Sequence, residues 1–160
     1  MSIEIERKFL VKSDMYKKEA FASRRMLQAY LCRDAERSVR VRISGDEAYL
    51  TIKGPRKTIF NSEWEYPVPV EDARAMLELC LESVIDKTRY YVRSADGVHT
   101  WEVDEFQGDN EGLCVAEIEL DSEDEEFPLP CWVGKEVSED SRYHNTLLSV
   151  NPYRNWKDEA

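Results

Sequence analysis

Hydrophobic and polar residues alternate with a period of two along most of the chain, as in strands whose faces meet different surroundings. The alternation predicts strands near residues 2–12, 25–33, 37–44, 47–54, 60–68, 86–94, 99–107 and 113–121. Turn-forming sequences separate them: Ser44-Gly45-Asp46, Gly54-Pro55, Ala95-Asp96-Gly97 and the loop from Gly108 to Gly112. Between the fifth and sixth strands the period changes. From Glu71 to Glu82 the apolar residues Ala73, Met76, Leu77, Cys80 and Leu81 fall on one stripe of an amphipathic helix, with Asp72 as its candidate cap. A second helix is expected after Ser138, a good N-cap, running through Leu147 and Leu148, and a short one around Asp14 to Phe21. Eight strands with short connections predict an antiparallel sheet, and closing that sheet would remove its exposed edges.

The polar faces of these strands carry ionised groups where an ordinary solvent face carries Ser and Thr. Glu4, Glu6 and Lys8 oppose Ile3, Ile5 and Phe9; Arg40 and Arg42 oppose Val39, Val41 and Ile43; Lys53 opposes Leu50 and Ile52. Glu63 and Glu65 alternate with Trp64 and Tyr66, and Lys87 and Arg89 with Thr88, Tyr90 and Val92. Glu102 and Asp104 flank Val103, Glu117 and Glu119 flank Ile118, and the second strand offers Gln28 and Tyr30. Two arrangements produce this alternation. In one, apolar faces form the interior and charges meet solvent. In the other, apolar faces look outward beneath helices and the charges line a bore. Such a bore would hold six cations (Lys8, Arg40, Arg42, Lys53, Lys87, Arg89) and eight carboxylates (Glu4, Glu6, Glu63, Glu65, Glu102, Asp104, Glu117, Glu119). Groups of that kind cannot stay dry, because each would cost several kcal/mol. A wet bore so lined suits a polyanion together with divalent cations. Arginine grips phosphate oxygens bidentately and lysine as a point charge, while clustered carboxylates suit hard ions such as Mg²⁺ or Mn²⁺. Positioning, charge neutralisation and an in-line nucleophile are what phosphoryl transfer requires.

Composition narrows the setting. A chain of 160 residues, 42% hydrophobic and 34% charged, is expected to form one domain over 1–160 with a real core. It holds no apolar run of the roughly 20 residues a spanning helix needs. Its first residues, Met1-Ser2-Ile3-Glu4-Ile5-Glu6-Arg7-Lys8, are charged where a signal peptide would be apolar, so a cytoplasmic protein without membrane association is expected. The net charge of −11 argues against a nucleic-acid partner. Cys32, Cys80, Cys114 and Cys131 are scattered and expected to be free, mostly packed thiols; His99 and His144 read as surface or packing residues. The acidic run Asp121 to Glu126 reads as a solvated loop.

Taken in order, Glu4-Ile5-Glu6-Arg7-Lys8, Gln28-Ala29-Tyr30-Leu31, Val39-Arg40-Val41-Arg42, Thr51-Ile52-Lys53 and Glu63-Trp64-Glu65 are similar to motifs of one family. Lys87-Thr88-Arg89-Tyr90, Trp101-Glu102-Val103-Asp104, Ala116-Glu117-Ile118-Glu119 and Gly134-Lys135-Glu136-Val137, with Asp140, Arg142, Tyr143 and Asn145, continue the set. Together they resemble the CYTH superfamily, the triphosphate tunnel metalloenzymes, over nearly the whole chain. The resemblance implies an α+β, mainly β fold: a closed eight-stranded antiparallel barrel with a few helices outside and one at the C-terminus. It implies Glu4, Glu6, Asp104, Glu117 and Glu119 as metal ligands, with Glu63, Glu65 and Glu102 as supporting or second-metal residues. Lys8, Arg40, Arg42, Lys53 and Arg89 match phosphate-binding positions, and Lys87 and Tyr30 resemble a pair beside the attacking water. Many relatives carry a basic residue two positions before the first Glu of the fifth strand. Asn61 stands there in this chain, leaving Arg56 or Lys57 to compensate from the preceding loop, although loop cations are as a rule merely solvated. The resemblance is to short bacterial members that cleave inorganic triphosphate. A class IV-type adenylyl cyclase, a thiamine triphosphatase and a non-catalytic polyphosphate or nucleotide binder are the alternatives. A homodimer, in which a twin subunit covers apolar barrel surface, is left open.

Overall fold

Strands form where the alternation places them. The computed structural model describes residues 1–57 and 59–156; Thr58 and residues 157–160 of the expected domain lie outside the described residues. Among the described residues the strands are β1 (Ser2–Val11), β2 (Ala22–Arg33), β3 (Ser38–Ser44), β4 (Glu47–Lys53), β5 (Phe60–Val68), β6 (Ile85–Arg93), β7 (Thr100–Phe106), β8 (Cys114–Leu120) and β9 (Val133–Glu136). They pair antiparallel in the order β5-β4-β3-β2-β6-β7-β8-β1, and β1 returns to β5 from Ser2↔Glu63 to Ile5↔Phe60. That last pairing closes an eight-stranded barrel.

The ninth strand was not expected. β9 lies against Phe9 and Val11, beside the half of β1 that β5 does not reach. Its four residues include Gly134 and two charges, too short and too polar for a strand signal. Gly134 has a specific reason to be there, because a Cβ would come 3.2 Å from the Leu10 carbonyl oxygen.

The helices are shorter than predicted. Helix α1 spans Tyr16–Glu19, and α2 spans Val70–Leu77, starting after Pro69, so Asp72 sits inside its first turn and does not cap it. The C-terminal segment is a 3-10 turn, Ser141–Tyr143, capped by Asp140, followed by the one-turn helix α3 (Asn145–Leu148). Ser138 caps nothing; its hydroxyl accepts from the Lys8 amide at 2.9 Å and donates to Glu136 at 2.6 Å. No helix among the described residues is long and apolar enough to cross a membrane.

Packing explains these corrections. Outward residues of β1, β6, β7 and β8 (Ile5, Phe9, Val92, Trp101, Val103 and Ile118) are buried with Tyr16 of α1 and Trp132 of the segment before β9. Val41, Ile43 and Ala48 pack under Ala73 of α2. A third cluster lies inside the barrel. Leu10, Tyr30, Ile85, Phe106 and Val115, on the inward faces of five strands, meet Val137, Tyr143, Leu148 and Trp156 of the C-terminal segment. Each such buried side chain contributes about 1.5–3 kcal/mol. The charged residues thus line only part of the interior, and an apolar stopper fills one end.

Two smaller expectations also change. Cys32 and Cys131 are exposed, so only Cys80 and Cys114 are partly packed among the four free thiols. His99 is a buried bridge between loops, its ring nitrogens facing Asp96 and Glu125.

Candidate active site

Antiparallel register carries the inward alternation from strand to strand. Glu6 stands opposite Glu119, Lys8 opposite Glu117, Arg42 opposite Gln28 and Arg89 opposite Asp104. Inside lie two adjoining chambers. One, about 260 Å³, is lined by Glu4, Glu6, Glu63, Glu65, Glu102, Glu117 and Glu119 together with Arg40, Arg42, Lys53, Arg89 and Asn145. The other, about 160 Å³, is lined by Lys8, Tyr30, Arg37, Arg40, Lys53, Arg56, Asn61 and His144 among others. Glu6, Arg40, Lys53 and Asn145 border both, so the chambers are parts of one bore. Thirteen of the fifteen residues predicted for the site face it; Lys87 and Asp104 stand behind its wall.

Most of the cations are already paired. Lys53 Nζ lies 2.7 Å from Glu4, and Lys8 Nζ lies 3.2 Å from Glu117 while donating to the Tyr143 carbonyl. Arg89 donates to Asp104 through Nε (2.7 Å) and Nη2 (2.9 Å) and to Glu102 through Nη1. Among the described residues Arg40 and Arg42 have neutral partners, Thr51 at 3.2 Å and Gln28 at 2.9 Å. Burial, then the neighbouring charges of Arg40 and Arg89, pushes the Arg42 guanidinium down to about 9. An anion between these arginines would relieve that repulsion.

Lys87 is fully buried, and its Nζ donates to Asp104 Oδ2 at 2.8 Å beneath the Phe106 ring. Burial lowers it to about 7, against the pull of Asp104 and with help from Arg89 and Arg42. Asp104 is held at about 2: burial opposes its charge, and Arg89 and Lys87 outweigh burial. Its carboxylate is thus occupied by Arg89 and Lys87. Tyr30 instead reaches the chamber of Lys8 and His144, and no hydrogen bond joins it to Lys87 among the described residues.

Three residues at the bore lie outside the predicted site, although Arg56 is one of two loop cations offered in place of Asn61, and His144 reads as a surface or packing residue. Arg56 turns inward, its Nη1 3.5 Å from Glu6, while Lys57 is exposed. His144 is lowered to about 4 by burial and then by Lys8 and Arg56. Asn145 stood in the quoted C-terminal motif, and its Oδ1 is buried without a partner among the described residues. These side chains come from a loop and an irregular segment, where alternation gives no signal.

A CYTH domain profile matches residues 2–146. The chain belongs to the CYTH domain family. It is 47% identical over 159 residues to an inorganic triphosphatase of Acetivibrio thermocellus, covering 99% of this chain and 100% of that one. An inorganic triphosphatase of Nitrosomonas europaea is 32% identical over 151 residues, covering 92% and 97%. A crystal structure of the inorganic triphosphatase NE1496 superimposes with a TM-score of 0.65 at 33% identity, again covering 92% and 97%.

Membership of the CYTH family implies a divalent metal, and the carboxylates of the larger chamber fit one by their chemistry. They crowd one another. Glu6 is pushed up to about 8 by burial, then by the charges of Glu117 and Glu4. Glu63 reaches about 8 through burial, hydrogen bonding with Glu65 and the charge of Glu4, and Glu119 is raised by burial, Glu4 and Glu102. Against burial, Glu4 and Glu117 are instead held down by Lys53 and Lys8, so the chamber mixes charged carboxylates with crowded ones that a cation would relieve. No group of three acidic, His or Cys side chains among the described residues is already gathered closely enough to form a cage. That suits a hard ion that takes oxygen ligands and completes its shell with water and substrate oxygens.

Proposed function

We propose that the chain hydrolyses inorganic triphosphate to diphosphate and orthophosphate with the help of Mg²⁺ or Mn²⁺. The observation that carries the reading is the bore, where Arg40, Arg42, Lys53 and Arg89 share one chamber with seven glutamates. A simple polyphosphate binder would have little use for so many anions beside its ligand, whereas a metal-dependent hydrolase needs them. Lys8, Arg40, Arg42, Lys53 and Arg89 hold phosphate oxygens, and Glu4, Glu6, Glu117 and Glu119 provide the metal ligands. Glu63, Glu65 and Glu102 orient that set. Asp104, engaged by Arg89 and Lys87, positions those two side chains. When bound, the divalent ion supplies Lewis-acid stabilisation of charge on the phosphoryl oxygens.

Lys87 serves as the base in this reading, which requires that substrate binding open the chamber wall far enough for one water to reach its amine. A neutral amine can donate one N–H to Asp104 and accept a proton from water with its lone pair. The water oxygen bonds to the terminal phosphorus as the bridging P–O bond breaks. The electron pair leaves on diphosphate, whose charge the arginines and lysines hold. Tyr30 lines the smaller chamber beside Lys8.

Substrate choice follows from the lining. Among the described residues the larger chamber has no aromatic or aliphatic lining residue, and the smaller offers only Tyr30, His144 and Ala35 for an adenine or thiazole ring to rest on. Orthophosphate release from inorganic triphosphate, ATP and thiamine triphosphate, each with Mg²⁺ or Mn²⁺, tests the proposal. Inorganic triphosphate is expected to be cleaved fastest. Cyclic AMP and diphosphate from ATP would mean a cyclase, and silence with inorganic triphosphate under both metals would end the hydrolase reading.

A further inference from the structure

The inward position at the start of β5 belongs to Asn61, which faces Glu4 across the barrel closure and is buried at 7% exposure. It borders the smaller chamber without bringing a charge. The loop before it folds back against β1. The Gly54 amide donates to Ser62, the Lys57 amide to Phe60, and the Glu6 amide to the Ile59 carbonyl at 3.3 Å. So held, the loop directs Arg56 into the chamber, with its side chain 20% exposed.

The Arg56 guanidinium is under-used. Its contact with Glu6, at 3.5 Å, is an ion pair too long for a good hydrogen bond. Nε and Nη2 are both shielded from solvent, and neither has a partner among the described residues. Dry, unpaired donors on a cation are costly, and a phosphate oxygen is an acceptor that would satisfy them. Arg37, the other cation that only this chamber adds apart from Lys8, is solvated and lies near Asp34.

We propose that Arg56 is a substrate-binding residue, supplying from the β4–β5 loop the phosphate contact that Asn61 does not provide. The proposal rests on the triphosphate reading above and deepens it.

The test measures binding apart from turnover. Calorimetric titration of inorganic triphosphate into wild type, R56Q, K57Q and R56Q/N61R, in EDTA, reads the contact without metal or chemistry. R56Q is expected to weaken binding by about ten- to a hundredfold, the range for a lost charge-assisted contact, and to raise KM more than it lowers kcat. K57Q should match wild type, and R56Q/N61R should recover most of the affinity because the cation returns from the strand. R56Q binding as tightly as wild type would overturn the proposal and leave the hydrolase reading intact. A double variant as weak as R56Q would overturn it too, since the loss would then stem from the Glu6 contact and not from a missing cation. Wild-type protein that binds inorganic triphosphate but releases no orthophosphate would sink the hydrolase reading alone.

Discussion

Replacing Lys87 by methionine removes the buried amine and leaves an unbranched chain to fill its place. The expected cost follows from where the amine sits. With burial lowering it from 10.5 to about 7, the neutral amine is far more accessible near pH 7 than in an unperturbed lysine. A base so tuned contributes about 10²–10⁴-fold to a hydrolytic rate, or about 3–5 kcal/mol of barrier. The assay is kcat at saturating inorganic triphosphate and metal between about pH 5 and pH 9. The working form is the deprotonated one, so wild-type kcat should fall with single-proton slope as pH drops through about 7. Lys87→Met should be slower by the stated factor and lack that limb.

A metal-bound water can titrate in the same region, so the limb by itself does not identify the base. The variant separates the two. A limb owed to bound water persists in Lys87→Met, whereas a limb owed to the amine goes with it. Full turnover by the variant, or a slower variant with the limb intact, would refute the assignment of Lys87 as base.

Further outcomes follow from the site and from the packing. Glu119→Ala should raise the Mn²⁺ concentration needed for half-maximal binding, measured by spin resonance on protein without substrate, about tenfold or more; unchanged binding would remove Glu119 from the ligand set. Leu148→Ala, at a fully buried position in the stopper, should cost about 2–5 kcal/mol and lower the urea midpoint accordingly; an unchanged midpoint would mean the stopper is not packed as described. His99 is raised by its hydrogen bonds to Asp96 and Glu125. Its stabilisation is therefore complete below the unfolded value near 6.5 and lost as pH rises through the folded value. His99→Gln should depress the melting temperature more at about pH 5 than at about pH 9, and an equal depression at both would count against the bridge.

What the chain reveals of itself before folding, and what it hides, has one geometric cause. Alternation tells inside from outside at each strand residue. It therefore separated Arg40 and Arg42 from Val39, Val41 and Ile43, and brought thirteen predicted residues to the bore. It carries no information about depth along the barrel axis. Lys87 and Arg89 are equivalent in alternation, yet register sets Lys87 beside Phe106 and Arg89 beside Asp104. One layer deeper, Ile85, Phe106 and Val115 face inward into the stopper. Depth is fixed by the stagger of all eight strands together, a property no single segment contains. The C-terminal segment misled for a related reason. The expected helix ran through Leu147 and Leu148, but Leu147 stays 38% exposed, and burial falls to Tyr143, Leu148 and Trp156 on separate turns. Those turns follow the shape of the barrel end and not a period of their own. Lys87 lies fully buried beside Phe106 of that stopper, and burial is what lowers its amine to about 7.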